Sequence, residues 1–248
     1  YGCSNMTSFT SGTTDTSALI YMNNMFRGCT SLTTLDVSGF DTSSVTSLYS
    51  AFYDCDSITT LDVSGFDTSS VTSMFGTFYQ CSSLTALDIS GFDTSSVTSF
   101  NNTWGGCAAL TSLDVSSFNT ALVNDMLGMF YNCTSLTSLD VSNFNTSAVT
   151  VMNAMFFGCT GLTDIVGVDT FNIGGLNSTS SLTIFADSVT LPTARYDALL
   201  LAWEAQNPFD GMAPNFGSST YTGGGAVATA RASLISRDGW TITDGGVA

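Results

Sequence analysis

Residues 29–55 read CTSLTTLDVSGFDTSSVTSLYSAFYDC, and the same pattern returns along most of the chain. Cysteines mark its period, because each lies 26 residues after the one before (29 − 3, 55 − 29 and so on). A fixed period of this size indicates stacked supersecondary units. The cysteines are Cys3, Cys29, Cys55, Cys81, Cys107, Cys133 and Cys159.

One repeat contains three kinds of pattern. The LDVS segment at residues 35–38 alternates apolar and polar side chains, which predicts a half-buried strand. The DTSS segment at residues 41–44 has turn chemistry, and Leu48 and Phe52 follow at helical spacing, which predicts a short helical turn. Because no single repeat can bury these apolar faces, stacking must bury them together. The strands are expected to centre on Leu35, Leu61, Leu87, Leu113 and Leu139.

The pattern changes towards the end of the chain. An apolar run led by Pro192 and the stretch 226–235 predict two helices, and residues 240–243 alternate like a strand. We therefore predict an α/β-type repeat fold, a parallel β-solenoid with short helical turns and a small C-terminal cap. The predicted parts are 1–164 for the solenoid, 165–190 for a degenerate last repeat and linker, and 191–248 for a small α/β cap.

The repeat resembles a known bacterial family. The string LDVSGFDTSSVTSM at residues 61–74, followed by an aromatic pair and a cysteine, is similar to the BspA-like leucine-rich repeat of surface proteins, also common in mycoplasma lipoproteins. The resemblance covers roughly residues 1–165. The tail segment ARASLISRDGWTITDGG at 230–246 resembles tails of such repeats in environmental bacterial and phage proteins. The resemblance implies a right-handed, leucine-rich-repeat-like solenoid used for adhesion, and it supplies no catalytic residues.

Charge is scarce and one-sided. The 248 residues carry 4 Lys+Arg against 20 Asp+Glu and no histidine, for a net charge of −16. Such a surface repels phosphate, so we expect no nucleic-acid partner, and no apolar run predicts a membrane span. Without histidine or lysine we recognise no acid–base pair or activated nucleophile, so we expect a protein that is not an enzyme. The sequence starts at Tyr1, partway into a repeat, which suggests a processed chain or a piece of a longer one.

The cysteine row is expected to consist of small buried core residues with free thiols. Stacked neighbours would lie within disulfide range, so some bridges are the alternative. Zinc is not favoured, because a row without histidine does not offer ligands that converge on one point.

Two rows of acidic residues recur in the same frame. The strand Asp row is Asp36, Asp62, Asp88, Asp114 and Asp140, and the turn Asp row is Asp15, Asp41, Asp67 and Asp93, continued by Asn119 and Asn145. In the turn Asp row, aspartate gives way to asparagine, which keeps the ability to cap a turn but not the charge, so a capping role is favoured. The strand Asp row keeps its charge, which either solvent screens or a cation such as Ca²⁺ bridges. Solvent is favoured, and Ca²⁺ is the one candidate cofactor.

An aromatic pair precedes most of the cysteines, and adjacent residues cannot both point inward. We assign the first of each pair to the core and the second to a partly exposed stripe that could stack on sugars or pack against a partner chain. The alternative is that these rings only shield the edge of the array. The candidate binding residues are Tyr53, Tyr79 and Tyr131 of this tyrosine stripe, with Asp62, Asp88 and Asp114.

These patterns favour an extracellular, non-catalytic adhesion or receptor-binding module on a bacterial cell surface or phage virion. Its partner would be a protein or glycan on a cell surface, held by many weak contacts acting together. The alternative is a structural subunit of a fibre, filament or virion appendage that binds mainly neighbouring copies of itself.

Overall fold

The structure is a computed structural model that describes residues 2–179, 181–183 and 185–248. Loops and turns make up most of the chain, and the regular elements are short. The elements are β1 (Ser8–Thr10), β2 (Thr34–Asp36), β3 (Leu139–Asp140), β4 (Ile165–Val166), a 3-10 helix (Val168–Thr170), α1 (Thr193–Glu204), β5 (Thr220–Tyr221), α2 (Gly225–Ser236) and β6 (Gly246–Val247).

The predicted fold class, a right-handed leucine-rich-repeat-like parallel β-solenoid with short helical turns, is wrong. The described residues form two α-helices, both beyond residue 190, and three separate two-stranded parallel sheets, β1–β2, β3–β4 and β5–β6. Strands form at Leu35 and Leu139 but not at Leu61, Leu87 or Leu113. The chain is mostly loops with small sheets.

The predicted helical turn at residues 48–55 is a run of tight turns. Ser50 and Asp54 have φ values of 51° and 58°, in the left-handed region that a right-handed helix cannot contain. The N–H of Ser50 donates to the Phe75 carbonyl of the next repeat at 2.8 Å, whereas that of Ala51 donates back to Leu48 at 3.0 Å. Every second N–H in this segment thus bonds to the neighbouring repeat, which excludes the helical pattern.

Left-handed backbone recurs at the same two positions of each repeat, on either side of the core aromatic residue. Asparagine, aspartate and glycine tolerate this conformation best, and they hold most of the positions. The residues are Asn24, Ser50, Gly76, Asn102, Gly128 and Ala154 at the first position, and Gly28, Asp54, Gln80, Gly106, Asn132 and Gly158 at the second.

An Asp–Ser turn closes the LDVS segment in repeats with and without a strand. Asp62 Oδ1 accepts hydrogen bonds from the Ser64 N–H at 3.0 Å and the Ser64 hydroxyl at 2.7 Å, and Asp36 at the end of β2 makes the same bonds with Ser38. In the middle repeats the pairing is reduced to a single parallel bridge, such as that between Thr60 and Ala86.

Consecutive repeats contact each other at a constant offset. Phe9 lies opposite Leu35 in the β1–β2 pair, and Leu139 lies opposite Ile165 in the β3–β4 pair, 26 residues apart in both cases (35 − 9, 165 − 139). Equivalent core side chains therefore stack on each other, as the rings of Phe52 and Phe78 do at 5.5 Å. A further series of parallel bridges joins Tyr21, Ser47, Ser73, Ser99, Asp125 and Val151.

Buried threonines join neighbouring repeats through reciprocal hydrogen bonds, which we call the threonine clips. The Thr94 hydroxyl donates to the Asn119 carbonyl at 3.0 Å and accepts from the Asn119 N–H at 2.8 Å. One side chain thus satisfies a donor and an acceptor of the next repeat. Equivalent buried threonines are Thr42, Thr68, Thr120 and Thr146.

Both helices expected in the tail are present, and α1 follows Pro192 as predicted. The strand expected at residues 240–243 is absent, apart from a single parallel bridge between Thr243 and Asn215. Arg195 on α1 forms ion pairs with Asp164 and Asp169 of the preceding segment, at 3.3 and 2.6 Å. The part boundaries at residues 164 and 190 stay predictions.

Candidate binding surface

The core and surface assignments of the aromatic pairs are confirmed. Phe52, Phe78 and Phe130 are fully buried, whereas Tyr53, Tyr79 and Tyr131 are partly exposed. The rings of Tyr53 and Tyr79 stack at 4.7 Å, and the guanidinium of Arg27 lies 4.4 Å from the centre of the Tyr53 ring. Partial burial raises the pKa of Tyr53, so its hydroxyl stays neutral at physiological pH.

Glycine interrupts the tyrosine stripe. Gly105 occupies the position equivalent to Tyr79 and Tyr131, and a Cβ added there would lie 3.0 Å from two carbons of the Tyr79 ring. Tyr131 stacks instead on Phe157, at 5.3 Å. The structure therefore brings Tyr53 and Tyr79 together and leaves Tyr131 in a second, separate pair.

A further aromatic pair was missed from the sequence. Tyr49 and Phe75 stack at 4.7 Å, and Tyr49 is among the exposed large hydrophobic residues. The equivalent residue in the next repeat is Asn101, so this pair does not recur as a row. The sequence feature that could have revealed this pair is Tyr49 itself, a second aromatic residue four positions before Tyr53.

Carboxylates of four repeats line one shallow surface trough of about 910 Å³. Asp62, Asp88 and Asp114, the acidic binding candidates, all lie in it together with Asp36, whereas Asp140 does not. Threonine and serine side chains such as Thr60 and apolar residues such as Leu61 complete the lining, and no residue of the tyrosine stripe takes part. The two sets of candidates thus occupy different surfaces.

Each carboxylate of the trough is fixed by a serine two residues later. Asp88 Oδ1 accepts from the Ser90 hydroxyl at 2.7 Å and the Ser90 N–H at 3.0 Å. These bonds lower the pKa of Asp88, although the like charges of Asp62 and Asp114 act in the opposite direction. In the part of the chain that the structure describes, Oδ2 of Asp62, Asp88 and Asp114 accepts no hydrogen bond. The trough therefore presents ionised oxygens that are held in place and unoccupied.

The turn Asp row caps turns, as predicted. Asp41 Oδ1 accepts from the N–H and hydroxyl of Ser43, and Asn145 Oδ1 accepts in the same way from Ser147. The strand Asp row makes the same bonds, which the sequence reasoning missed. Asparagine can therefore replace aspartate in this turn and preserve its hydrogen bonds.

Nothing in the described ranges forms a metal-binding group of three or more His, Cys, Asp or Glu side chains. The possible Ca²⁺ site over Asp36, Asp62, Asp88, Asp114 and Asp140 is thus not seen as a ligand cluster. Whether Ca²⁺ binds stays a prediction.

The cysteine prediction is confirmed for the middle of the row. Cys55, Cys81, Cys107 and Cys133 are buried and free of disulfides, and Cys3 is exposed. The Cys55 thiol donates to the Phe26 carbonyl at 3.1 Å. Burial raises the pKa of Cys55 to about 12, so at neutral pH this thiol does not ionise to the reactive thiolate.

Comparison with known proteins supplies a family. The model of a family described as Mycoplasma protein of unknown function, DUF285, matches residues 2–87, 46–168 and 82–190, which together span most of the chain. The chain belongs to this family. No curated protein and no solved structure matches it. Among the described residues, this chain has no helix that is both long enough and apolar enough to cross a bilayer.

Proposed function

We propose that this DUF285 protein is a non-catalytic, extracellular attachment module of a bacterial cell surface or phage virion, related to the BspA-like surface repeats. Its partner is a protein or glycan on another cell. The observation that supports this proposal is the trough, in which four repeats present the same fixed carboxylate. Several weak contacts made at once add up through effective concentration, so no deep pocket is needed.

The chemistry of the trough favours partners with positively charged groups. The carboxylates of Asp62, Asp88 and Asp114 are ionised, their Oδ1 atoms accept from serine, and their Oδ2 atoms accept from no described residue and can bind a donor from outside. Charge-assisted hydrogen bonds to such oxygens are roughly twice as strong as neutral ones. Basic side chains or amino groups on a cell surface suit this pattern.

The residues also support a role without catalysis. The sequence has no histidine or lysine to act as a general base, and six of the seven thiols are buried. The carboxylates of the trough stand in a row with lowered pKa values, which does not suit a general acid near neutral pH.

Aspartate-to-asparagine variants test whether the trough binds cells, because they remove its charge and preserve its turns. The triple variant Asp62→Asn, Asp88→Asn, Asp114→Asn keeps an acceptor for each serine and removes three charges. Its control removes three charges from the turn Asp row through Asp41→Asn, Asp67→Asn and Asp93→Asn. Labelled protein is applied to cultured bacterial and epithelial cells, and retained fluorescence is measured at physiological salt.

We expect the trough variant to lose at least tenfold in retained protein and the control to bind as the parent does. Equal loss in both variants would reduce the effect to net charge and contradict the trough as the contact surface. A separate variant, with Tyr53, Tyr79 and Tyr131 replaced by serine, measures how much the tyrosine stripe contributes to attachment. A true contact there costs about 1 kcal/mol or more per residue, and unchanged binding would leave the stripe as packing only.

A further inference from the structure

One pair of tyrosine rings is stacked across two consecutive repeats in the middle of the array. Tyr53 and Tyr79 are 26 residues apart (79 − 53), and their ring centres lie 4.7 Å apart with 28° between the ring planes. The N–H of Asp54 donates to the Tyr79 carbonyl at 2.8 Å, which holds the two backbones side by side. Because the two residues occupy equivalent positions in register, we expect the ring carbons beside the two hydroxyls to face each other.

Neighbours from the adjoining repeats hold this pair in place. The guanidinium of Arg27, in the preceding repeat, lies 4.4 Å from the centre of the Tyr53 ring. Gly105, in the following repeat, approaches Tyr79 so closely that an added Cβ would lie 3.0 Å from two carbons of its ring. Both tyrosines are nevertheless partly exposed. The two phenols are therefore fixed against each other and accessible to a reagent in solution.

The other tyrosines that stack on a neighbouring ring have phenylalanine as their partner. Tyr49 stacks on Phe75 at 4.7 Å, and Tyr131 stacks on Phe157 at 5.3 Å. Among the described residues, only Tyr53 and Tyr79 stack tyrosine on tyrosine. A phenylalanine ring has no hydroxyl and forms no phenoxyl radical. One-electron oxidation can therefore join the rings of this one stacked pair.

We propose that Tyr53 and Tyr79 are a site of oxidative cross-linking, at which a peroxidase-type one-electron oxidant with hydrogen peroxide joins the two rings as dityrosine. Each tyrosine loses one electron and its phenolic proton, and the two neutral radicals form a bond between the ring carbons beside their hydroxyls. The hydrogens on those two carbons then move to the oxygens, which restores both phenols. Hydrogen peroxide accepts the two electrons and two protons and becomes two molecules of water.

The fold favours coupling within one molecule over coupling between molecules. Two radicals that are held in contact react as one unit, without the entropy cost of a diffusional encounter. The new bond closes a loop across one repeat and so restricts the unfolded chain, which favours the folded array. This modification does not rest on the attachment function, because neither the trough nor a cellular partner takes part in it.

Treatment of the dilute 248-residue protein with peroxidase and hydrogen peroxide tests the site. The monomer is isolated by gel filtration, weighed by mass spectrometry and cleaved before its aspartate residues. This cleavage places Tyr53 in residues 41–53 and Tyr79 in residues 67–87. The parent monomer should lose the mass of two hydrogen atoms, show the blue fluorescence of dityrosine and yield a peptide that joins these two ranges.

Matched variants separate the stacked pair from the other tyrosines. Tyr79→Phe keeps a stacked ring but removes one hydroxyl, so its monomer should form no link, whereas Tyr131→Phe should link as the parent does. Phe157→Tyr completes a second tyrosine pair with Tyr131 and should add a second link, between residues 131 and 157. Circular dichroism confirms that each variant is folded.

Three results would each overturn the proposal. They are a parent that links only between molecules or not at all, a Tyr79→Phe monomer that still forms a link, and a Phe157→Tyr variant that gains no second link. Because no cell is present, these results are independent of attachment.

Discussion

Replacing Thr94 with valine removes a hydroxyl while nearly keeping the side-chain volume, so it isolates one threonine clip. Thr94 is 1% exposed, and its hydroxyl makes two hydrogen bonds to the backbone of Asn119. Each such bond contributes about 0.5–1.5 kcal/mol net. Because Asn119 is exposed, water can replace the lost partner, which keeps the total near the sum of two net bonds, roughly 1–3 kcal/mol.

The measurement is thermal and urea unfolding followed by circular dichroism. For a chain of this size, 1 kcal/mol shifts Tm by about 2–4 °C, so a loss of roughly 1–3 kcal/mol should lower the Tm of Thr94→Val by about 2–12 °C relative to the parent. Thr94→Ser is the control, because it keeps the hydroxyl and loses one methyl group, worth about 0.8 kcal/mol. A valine variant as stable as the parent, or more stable than the serine variant, would refute the clip as a stabilising interaction.

Three further outcomes follow from the Asp rows and the thiols. Hydrogen bonds from serine lower the pKa values of the row members Asp36, Asp41 and Asp62 in the folded chain, so their stabilisation is present above the unfolded pKa of about 3.9 and is lost as pH falls further; the contribution of these rows to Tm should be constant between pH 5 and 7 and Tm should drop below pH 4. Alkylation at pH 8 should label Cys3 alone in the native protein and all seven cysteines in the denatured, non-reduced protein; fewer labels would mean bridges. Chelator should leave Tm unchanged, since no ligand cluster is seen in the described ranges, and a clear drop would indicate a bound cation.

Periodicity alone predicted which side chains are buried and which residues of successive repeats meet. The burial of Phe52 and Cys55 and the pairing of Phe9 with Leu35 follow from the 26-residue offset. Periodicity could not predict backbone conformation, because side-chain burial is compatible with several backbones. Ser50 is left-handed in one repeat and Gly76 in the next, and the alternation of serine, glycine and asparagine at that position was the available signal.

The candidate site was predicted in part for the same reason. The recurrence of Asp62 and Asp88 correctly placed these carboxylates in one row, but a row of residues does not reveal the curvature of the surface that carries it. The break at Gly105 was visible in the sequence, yet its effect on Tyr79 depends on ring packing that no pattern contains. The threonine clips were missed because Thr94 is polar and sits in a turn motif, where burial is not expected.

The constant offset between hydrogen-bonded partners has a genetic consequence. The N–H of Leu48 donates to the Ser73 carbonyl, and in the next repeat the N–H of Met74 donates to the Ser99 carbonyl. Each repeat therefore offers its neighbour the same hydrogen-bonding groups. Removal of residues 56–81 would join Cys55 to Ser82 and bring Leu48 opposite Ser99, which already accepts from an equivalent donor. Unequal crossing-over within such a gene would then yield shorter or longer proteins that still fold, and copy number could vary freely. We expect that deletion variant to unfold cooperatively, and aggregation on expression would contradict this.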